Sequence, residues 1–365
     1  MADYVWGNAG AYTFGANSIL SGCRIVNAGA SDDVQIEGNW HAHDGSAVFH
    51  NHQVEGAGNA LDTVGTAHIA PVAWAGAGNG LLGSDAVKNG WSAVSAIPQL
   101  QANTSWTIEW WQWLASTPNQ AGTYLILYDA DLRPSIYSYR SGAATEFFNR
   151  IRGVTGEVSI GGTITGAGWR HMCIERSVDS LYIYVNGTKL DGPTACAAVV
   201  GTSTMIGWAA DNMCSGGSYQ NDLYGTQSAL HGGSNFSPRA YESGTAILEH
   251  ALAAQKLNSV AWTLTGSGGA TVKAVEVNTG TNGSPVWTAV GGVNPTSPIS
   301  GLDYAVPTQC VRLTLAPSTD ALQLYTPTLS DVTLGLVSAV TGSARIVVPT
   351  GPVVLGRNLF AGGLA

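Results

Sequence analysis

Charge is scarce in this chain. Only 11% of its 365 residues are Asp, Glu, Lys or Arg, and 24 acidic residues against 15 basic ones leave a net charge of −9. Disorder needs high charge and few apolar groups, yet 45% of these residues are hydrophobic, so the composition is wrong for a disordered chain. It is equally wrong for a coiled coil, which is rich in Glu, Lys and Leu. No dense basic run occurs, and a phosphate-tracking surface needs clustered Lys and Arg, so nucleic acid is not an expected partner. No window holds 18 continuous apolar residues, which argues against membrane insertion. Cysteine is sparse: Cys23, Cys173, Cys196, Cys214 and Cys310 are scattered, odd in number and without CxxC spacing. Free thiols from a reducing compartment are the expectation. The opening Met1-Ala2-Asp3-Tyr4-Val5-Trp6-Gly7 has no charged segment followed by an apolar core, so no signal peptide is expected.

What is abundant is Gly, at 47 positions, together with Thr, Ser, Val and 12 Trp. These residues suit short strands joined by tight turns, and the expected fold class is all-β. Residues 1–85 form a Gly/His-rich β region without a helical period. Over 86–240 the strand signals sharpen. In Ser105-Trp106-Thr107-Ile108-Glu109-Trp110-Trp111-Gln112-Trp113, alternation puts Trp106, Ile108 and Trp110 on one face and Trp111 and Trp113 on the other. Ser180-Leu181-Tyr182-Ile183-Tyr184-Val185 runs into Asn186-Gly187, a dipeptide that favours a type I′ hairpin. The stretch 241–258, containing Ala246-Ile247-Leu248-Glu249-His250-Ala251-Leu252-Ala253-Ala254, is rich in helix formers and predicts a helical connector. A second, smaller β-sandwich is expected over 259–336. Residues 337–365, with Pro349 and Pro352, read as an extended C-terminal arm for assembly.

Three stretches carry a family resemblance. Ser105 to Trp111 resembles the opening core strand of laminin-G-like domains. Gly168-Trp169-Arg170-His171-Met172-Cys173-Ile174, followed by Leu181 to Gly187, resembles that family's Trp-x-His strand and Tyr-Val-Asn-Gly hairpin. Ser218-Tyr219-Gln220-Asn221-Asp222-Leu223-Tyr224 with Asn235-Phe236-Ser237-Pro238 resembles the closing strand and exit of such domains in bacteriophage structural proteins, although the usual Arg-Tyr before the exit is missing. The resemblance implies a concanavalin-A-like two-sheet antiparallel sandwich, or jelly roll, over 86–240. Cys310-Val311-Arg312-Leu313-Thr314-Leu315 is similar to the closing strand of discoidin-like domains, with Cys310 where an aromatic is usual. That likeness bears on fold alone.

Glycosidases of the concanavalin-like kind carry a Glu-x-Asp-x-x-Glu strand that sets two carboxylates about 5 Å apart. That spacing is missing here, as are Gly-x-Ser-x-Gly, His-Glu-x-x-His and a phosphate loop. The chain is therefore expected not to be an enzyme. Trp40-His41-Ala42-His43-Asp44-Gly45-Ser46-Ala47-Val48-Phe49-His50-Asn51-His52 reads as a hairpin with His41, His43, His50 and His52 on one side. These four are candidate ligands for a transition metal; the alternative is a polar hairpin facing solvent or a neighbouring subunit. Asp222 is a candidate calcium ligand, as acidic residues are in some relatives. Trp106, Trp110, Trp111 and Trp169 sit at structural positions of the resembled family and are expected in the core, with His171 a structural histidine. Trp113, Tyr137, Tyr139 and Trp208 are the candidates for ligand contact.

Together these readings suggest a bacteriophage virion protein, such as a tail fibre, baseplate or capsid-decoration component. Its expected partners are other virion proteins, further copies of itself and host-surface glycans. It would be made in the host cytoplasm and located in the virion. A carbohydrate-binding lectin module outside a virion is one rival reading, and a glycoside hydrolase or lyase on a concanavalin-like scaffold is the other.

Overall fold

The computed structural model describes residues 4–7, 12–14, 16–26, 33–38, 45–52, 55–65, 68, 71–74, 76, 80–81, 86–91, 95–96, 100, 105–114, 122–128, 134–140, 146–153, 156–164, 166–196, 205–207, 219–249 and 255–338. Among them there is no α-helix, and the strands assemble into four largely antiparallel sheets, so the all-β expectation holds.

Two of the sheets make the central sandwich. One has eight strands, running from Thr188–Ala195 through Ser180–Val185, Gly168–Ser177, Trp106–Leu114, Tyr219–Thr226 and Val87–Trp91 to Pro71–Trp74, with Ala47–Asn51 also on Tyr219–Thr226. The other has six, built from Gly156–Thr163, Glu146–Gly153, Pro134–Arg140, Gly122–Tyr128, Met205–Gly207 and Ser95–Ala96. Side chains alternate across a strand, and the sequence alternation places the core as expected. Trp106, Ile108, Trp110, Met172, Ile174, Leu181 and Ile183 from the first sheet meet Leu125, Leu127, Ile136, Phe147, Ile151 and Ile160 from the second. Asn186 and Gly187 both take positive φ (53° and 71°), as a type I′ turn requires.

The second sandwich joins two five-stranded sheets. Thr328–Ser338 is central to one, with Gln255–Thr265 along one side and Tyr4–Gly7 and Asp33–Ile36 along the other; Cys23–Val26 pairs Asp33–Ile36. The other sheet runs Ser18–Ser21, Gly244–Glu249, Gln309–Ala316, Thr271–Asn278, Trp287–Val290. Val272, Val275, Val277, Val311, Leu313 and Leu315 pack on Val260, Leu329, Val332, Leu334, Trp6 and Ile36. Cys310, where the discoidin-like pattern has an aromatic, is fully buried, and its Sγ donates to the Leu248 carbonyl at 3.3 Å.

Two expectations change. Residues 241–258 do not make a helical connector: Gly244–Glu249 and Gln255–Thr265 are strands, and 250–254 lie outside the described residues. The reason is visible at Gly244, Ala246 and Leu248, which are buried while Thr245, Ile247 and Glu249 are half-buried. This period of two, fixed by pairing with Gln309–Ala316 and Ser18–Ser21, overrides helix propensity. Nor is 1–85 a region of its own. Its first strands complete the second sandwich, as in Tyr4↔Leu334, and Ala47–Asn51 and Pro71–Trp74 extend the central one. Of the expected arm 337–365, Val337 and Ser338 end a strand opposite Lys256 and Gln255, and the remainder lies outside the described residues.

The outer face of the eight-stranded sheet is also covered. Trp111 and Trp169 are buried in the same apolar cluster as the second core, with Trp113 and Tyr219 packed against it. Trp169, expected in the central core, thus sits behind the sheet, its ring edge-on to Trp113 at 5.9 Å.

Candidate functional site

Three polar constellations stand out. The first is an open groove of about 430 Å³ at one end of the second sandwich. Gln35, Tyr241, Thr265, Gly266, Ser267, Leu324, Tyr325, Thr326 and Thr328 line it. Its wall is held by a compact turn: Asp320 accepts from Leu322 N at 3.1 Å and Leu324 N at 3.2 Å, while Ser318 N donates to the Tyr325 carbonyl at 2.9 Å. Tyr325 N donates in return to Ser318 Oγ at 3.1 Å. The Tyr325 ring, half exposed, runs along the backbone of Gly268, where a Cβ would stand 3.1 Å from Tyr325 Cδ2. Gln35 Nε2 donates to Thr328 Oγ1 at 2.8 Å, and Thr326 Oγ1 accepts from Ile36 N at 2.9 Å. Burial pushes the Tyr241 phenol up from its usual range, with Arg24 opposing, so it stays a neutral hydroxyl. Among the described residues, no charged side chain lines the groove. It offers a fixed aromatic face beside hydroxyl and amide groups.

The second constellation is His50, His52 and Asp222. His50 and His52 are two apart and share a face, their ring centroids 4.2 Å from one another. Asp222 reaches them because its strand breaks register against Trp106–Leu114 between Asn221 and Tyr224, and Asp222 there takes φ +53°. Asp222 Oδ1 lies 2.6 Å from His50 Nε2 and 3.7 Å from His52 Nδ1. Asp222 N donates to the His52 carbonyl at 3.0 Å, and His50 N donates to Asp62 Oδ1 at 3.0 Å. Of the four histidines expected together, the structure brings together His50 and His52; His41 and His43 lie outside the described residues. Asp222 was singled out as an oxygen ligand, but its meeting with the histidines, 170 residues away in sequence, has no local signal.

The third is buried behind the eight-stranded sheet. Cross-strand partners Glu109 and Cys173, then Thr107 and Glu175, face the segment 227–236. His231 Nε2 lies 2.5 Å from Glu109 Oε1, and the His231 ring stacks on Phe236 at 3.5 Å. Glu175 accepts from His231 N at 2.6 Å, Gly233 N at 3.3 Å, Thr107 Oγ1 at 3.3 Å and Tyr184 Oη at 3.4 Å. Burial, and then the Glu109 and Glu175 carboxylates, hold the Cys173 thiol well above its usual pKa. Burial, and next Glu175, raise the Tyr184 phenol likewise. Both carboxylates are sealed from solvent (Glu109 2%, Glu175 0% exposed), and Glu175 works as an anchor for the crossing segment. His171 is buried: its backbone N–H donates to Asn186 Oδ1, and its ring is edge-on to Trp111 and Phe236.

Of the four aromatics expected to contact a ligand, Trp113 and Tyr137 lie in different sheets. Trp113 is partly buried against the second sandwich, and Tyr137 is half-buried in the six-stranded sheet. The Tyr139 side chain and Trp208 lie outside the described residues. Sequence reading missed Tyr325, whose only signal is an aromatic in a Leu-Tyr-Thr-Pro turn before a strand.

No family model matches the chain, and no curated protein matches it. Among solved structures, the binding domain of botulinum neurotoxin serotype D is similar at 12% identity and TM-score 0.37, over 51% of this chain and 49% of that one. A botulinum neurotoxin type C structure, described as depending for cell entry on two ganglioside molecules, is similar at 11% identity and TM-score 0.37 over 72% of this chain and 64% of that one. The Trypanosoma rangeli sialidase bound to the inhibitor DANA is similar at 13% identity and TM-score 0.39, over 58% of this chain and 34% of that one. The chain thus spans less than two thirds of each of these proteins.

Proposed function

We propose that this chain is a non-catalytic adhesion module of a bacteriophage virion that binds neutral glycans in the groove beside Tyr325. The observation that supports it most is the groove itself. A sugar ring offers an apolar face and a rim of hydroxyls, and the groove presents an exposed tyrosine face beside Thr, Ser and Gln groups. A few polar groups around an apolar contact are the general pattern of small-ligand sites. Among the described residues the lining has no cation to meet a carboxylate or sulfate and no carboxylate to act as acid or base, which supports an uncharged ligand and a binding role.

The acid pair that could suggest hydrolysis, Glu109 and Glu175, is covered by 227–236 and occupied with structural hydrogen bonds. The virion part of the reading draws on the resemblance to laminin-G-like domains of phage structural proteins. It also draws on the closing segment, where Phe236 N donates to the Gly187 carbonyl at 2.9 Å and Asn235 Oδ1 accepts from Lys189 N at 2.8 Å.

Immobilised neutral and sialylated oligosaccharides should separate, with the full chain retained on neutral structures only. Retention on sialylated structures alone, or on none, contradicts the reading. Antibodies to the chain should label purified phage particles in the electron microscope. Unlabelled particles, with glycan binding intact, would leave a lectin module outside a virion.

A further inference from the structure

The second constellation carries an inference independent of the glycan reading. We infer that His50, His52 and Asp222 form a binding site for one divalent transition-metal ion. Their donor atoms, two imidazole nitrogens and a carboxylate oxygen, all lie within 4.8 Å of one another. Around a tetrahedral ion with metal–nitrogen distances of about 2.0 Å, neighbouring donors stand about 3.3 Å apart. The separations from Asp222 Oδ1, 2.6 Å to His50 and 3.7 Å to His52, straddle that value, so side-chain shifts of about 0.4 to 0.7 Å would seat an ion.

The positions of these donors are set by the backbone. His50 belongs to Ala47–Asn51, paired as His50↔Tyr224 and Asn51↔Leu223. Beyond the strand, the His52 carbonyl is clamped by Asp222 N at 3.0 Å and by Asn221 Nδ2 at 3.3 Å, and Asn221 Oδ1 accepts from Leu81 N at 2.8 Å. The left-handed turn at Asp222 is a local cost that the bulge imposes on a non-glycine residue. What it achieves is the direction of the carboxylate. Burial is graded: Asp222 and His50 are enclosed, while His52 is 22% exposed and gives the site its opening.

The donor set selects the ion class. Imidazole with carboxylate suits Zn, Co, Ni or Fe(II), whereas calcium requires six to eight oxygens. Two nitrogen donors beside Asp222 favour a transition metal here over the calcium considered for Asp222. Three protein donors leave a coordination position open toward His52's solvent side.

The test uses the full chain stripped with chelator and titrated with Co(II), then Zn(II). One equivalent of Co(II) should give visible d–d absorption, which Zn(II) bleaches, and Zn(II) should raise the melting temperature by linkage. His52→Ala should weaken binding at least about 10-fold, the smallest loss seen when even outer partners of a metal site are removed. Should His52→Ala fail to fold by circular dichroism, His52→Gln replaces it, and the Co(II) spectrum of the parent stands without any variant. Absence of Co(II) absorption in the folded parent overturns the site. Binding that survives His52→Ala but disappears in His41→Ala/His43→Ala places the ion elsewhere and overturns it equally.

Discussion

At the scale of single residues, two aromatic side chains show how burial decides a role. Trp110 is fully buried in the central core, edge-on to Phe147 at 6.1 Å, with its indole N–H given to Gln112. Truncating such a residue removes its transfer free energy and leaves a cavity, so Trp110→Ala should cost about 3–5 kcal/mol in denaturant unfolding. Tyr325 is half exposed on a turn held by its backbone. Tyr325→Ala should stay within about 0.5 kcal/mol of the parent in the same measurement. Cys23 tests burial through protonation. Burial, with the Glu37 carboxylate adding to it, raises its thiol from 9.0 to about 12. Folding therefore favours the protonated thiol, so its contribution is whole below pH 9.0 and is lost as pH rises toward about 12. Stability measured across that window should fall more steeply in the parent than in Cys23→Ala.

At the scale of elements, the Asn186-Gly187 hairpin was legible because its turn chemistry is local. The structure adds what the turn supports. A Cβ on Gly187 would stand 2.1 Å from the Phe236 carbonyl oxygen, at φ +71°. Gly187→Ala should thus destabilise by more than about 1–2 kcal/mol, from the backbone conformation alone, and loosen the segment that carries Phe236 and His231. Gly283→Ala, with nothing within 4 Å of its added Cβ, is the matched control and should change little in thermal unfolding.

The central strands were legible for a similar reason: Trp106–Leu114 is a nine-residue strand paired along its length, with Trp106, Ile108 and Trp110 in the central core and Trp111 and Trp113 on the other face. Residues 244–249 were not, because Ala, Ile, Leu and Glu satisfy a helical reading until Gln309–Ala316 is placed beside them. The candidate sites were less legible still. His50–Asp222 and Glu175–His231 are separated by 172 and 56 residues; strand pairing brings the first pair together, and the segment that follows Tyr219–Thr226 brings the second.

At the scale of the molecule, the N-terminal strands bind the two sandwiches into one chain-wide topology. Tyr4–Gly7, Ser18–Ser21, Cys23–Val26 and Asp33–Ile36 are strands of the second sandwich, although roughly 200 residues separate them from the rest of it. Trp6 is fully buried there, its indole N–H donating to the Asn17 carbonyl at 3.0 Å. Residues 241–338 expressed alone would expose that core and should show no cooperative melting transition, whereas 1–338 should show one.

The groove at the end of the second sandwich is one face of this assembly. Glycan binding there is tested most directly by calorimetric titration of the parent and of Tyr325→Ala with the neutral oligosaccharide best retained by the immobilised set. Binding to the parent should be saturable, with at least about a tenfold loss, or about 1.4 kcal/mol, in a variant that melts like the parent. Equal affinity of the two proteins, or no heat of binding from any neutral saccharide, would contradict glycan binding in the groove.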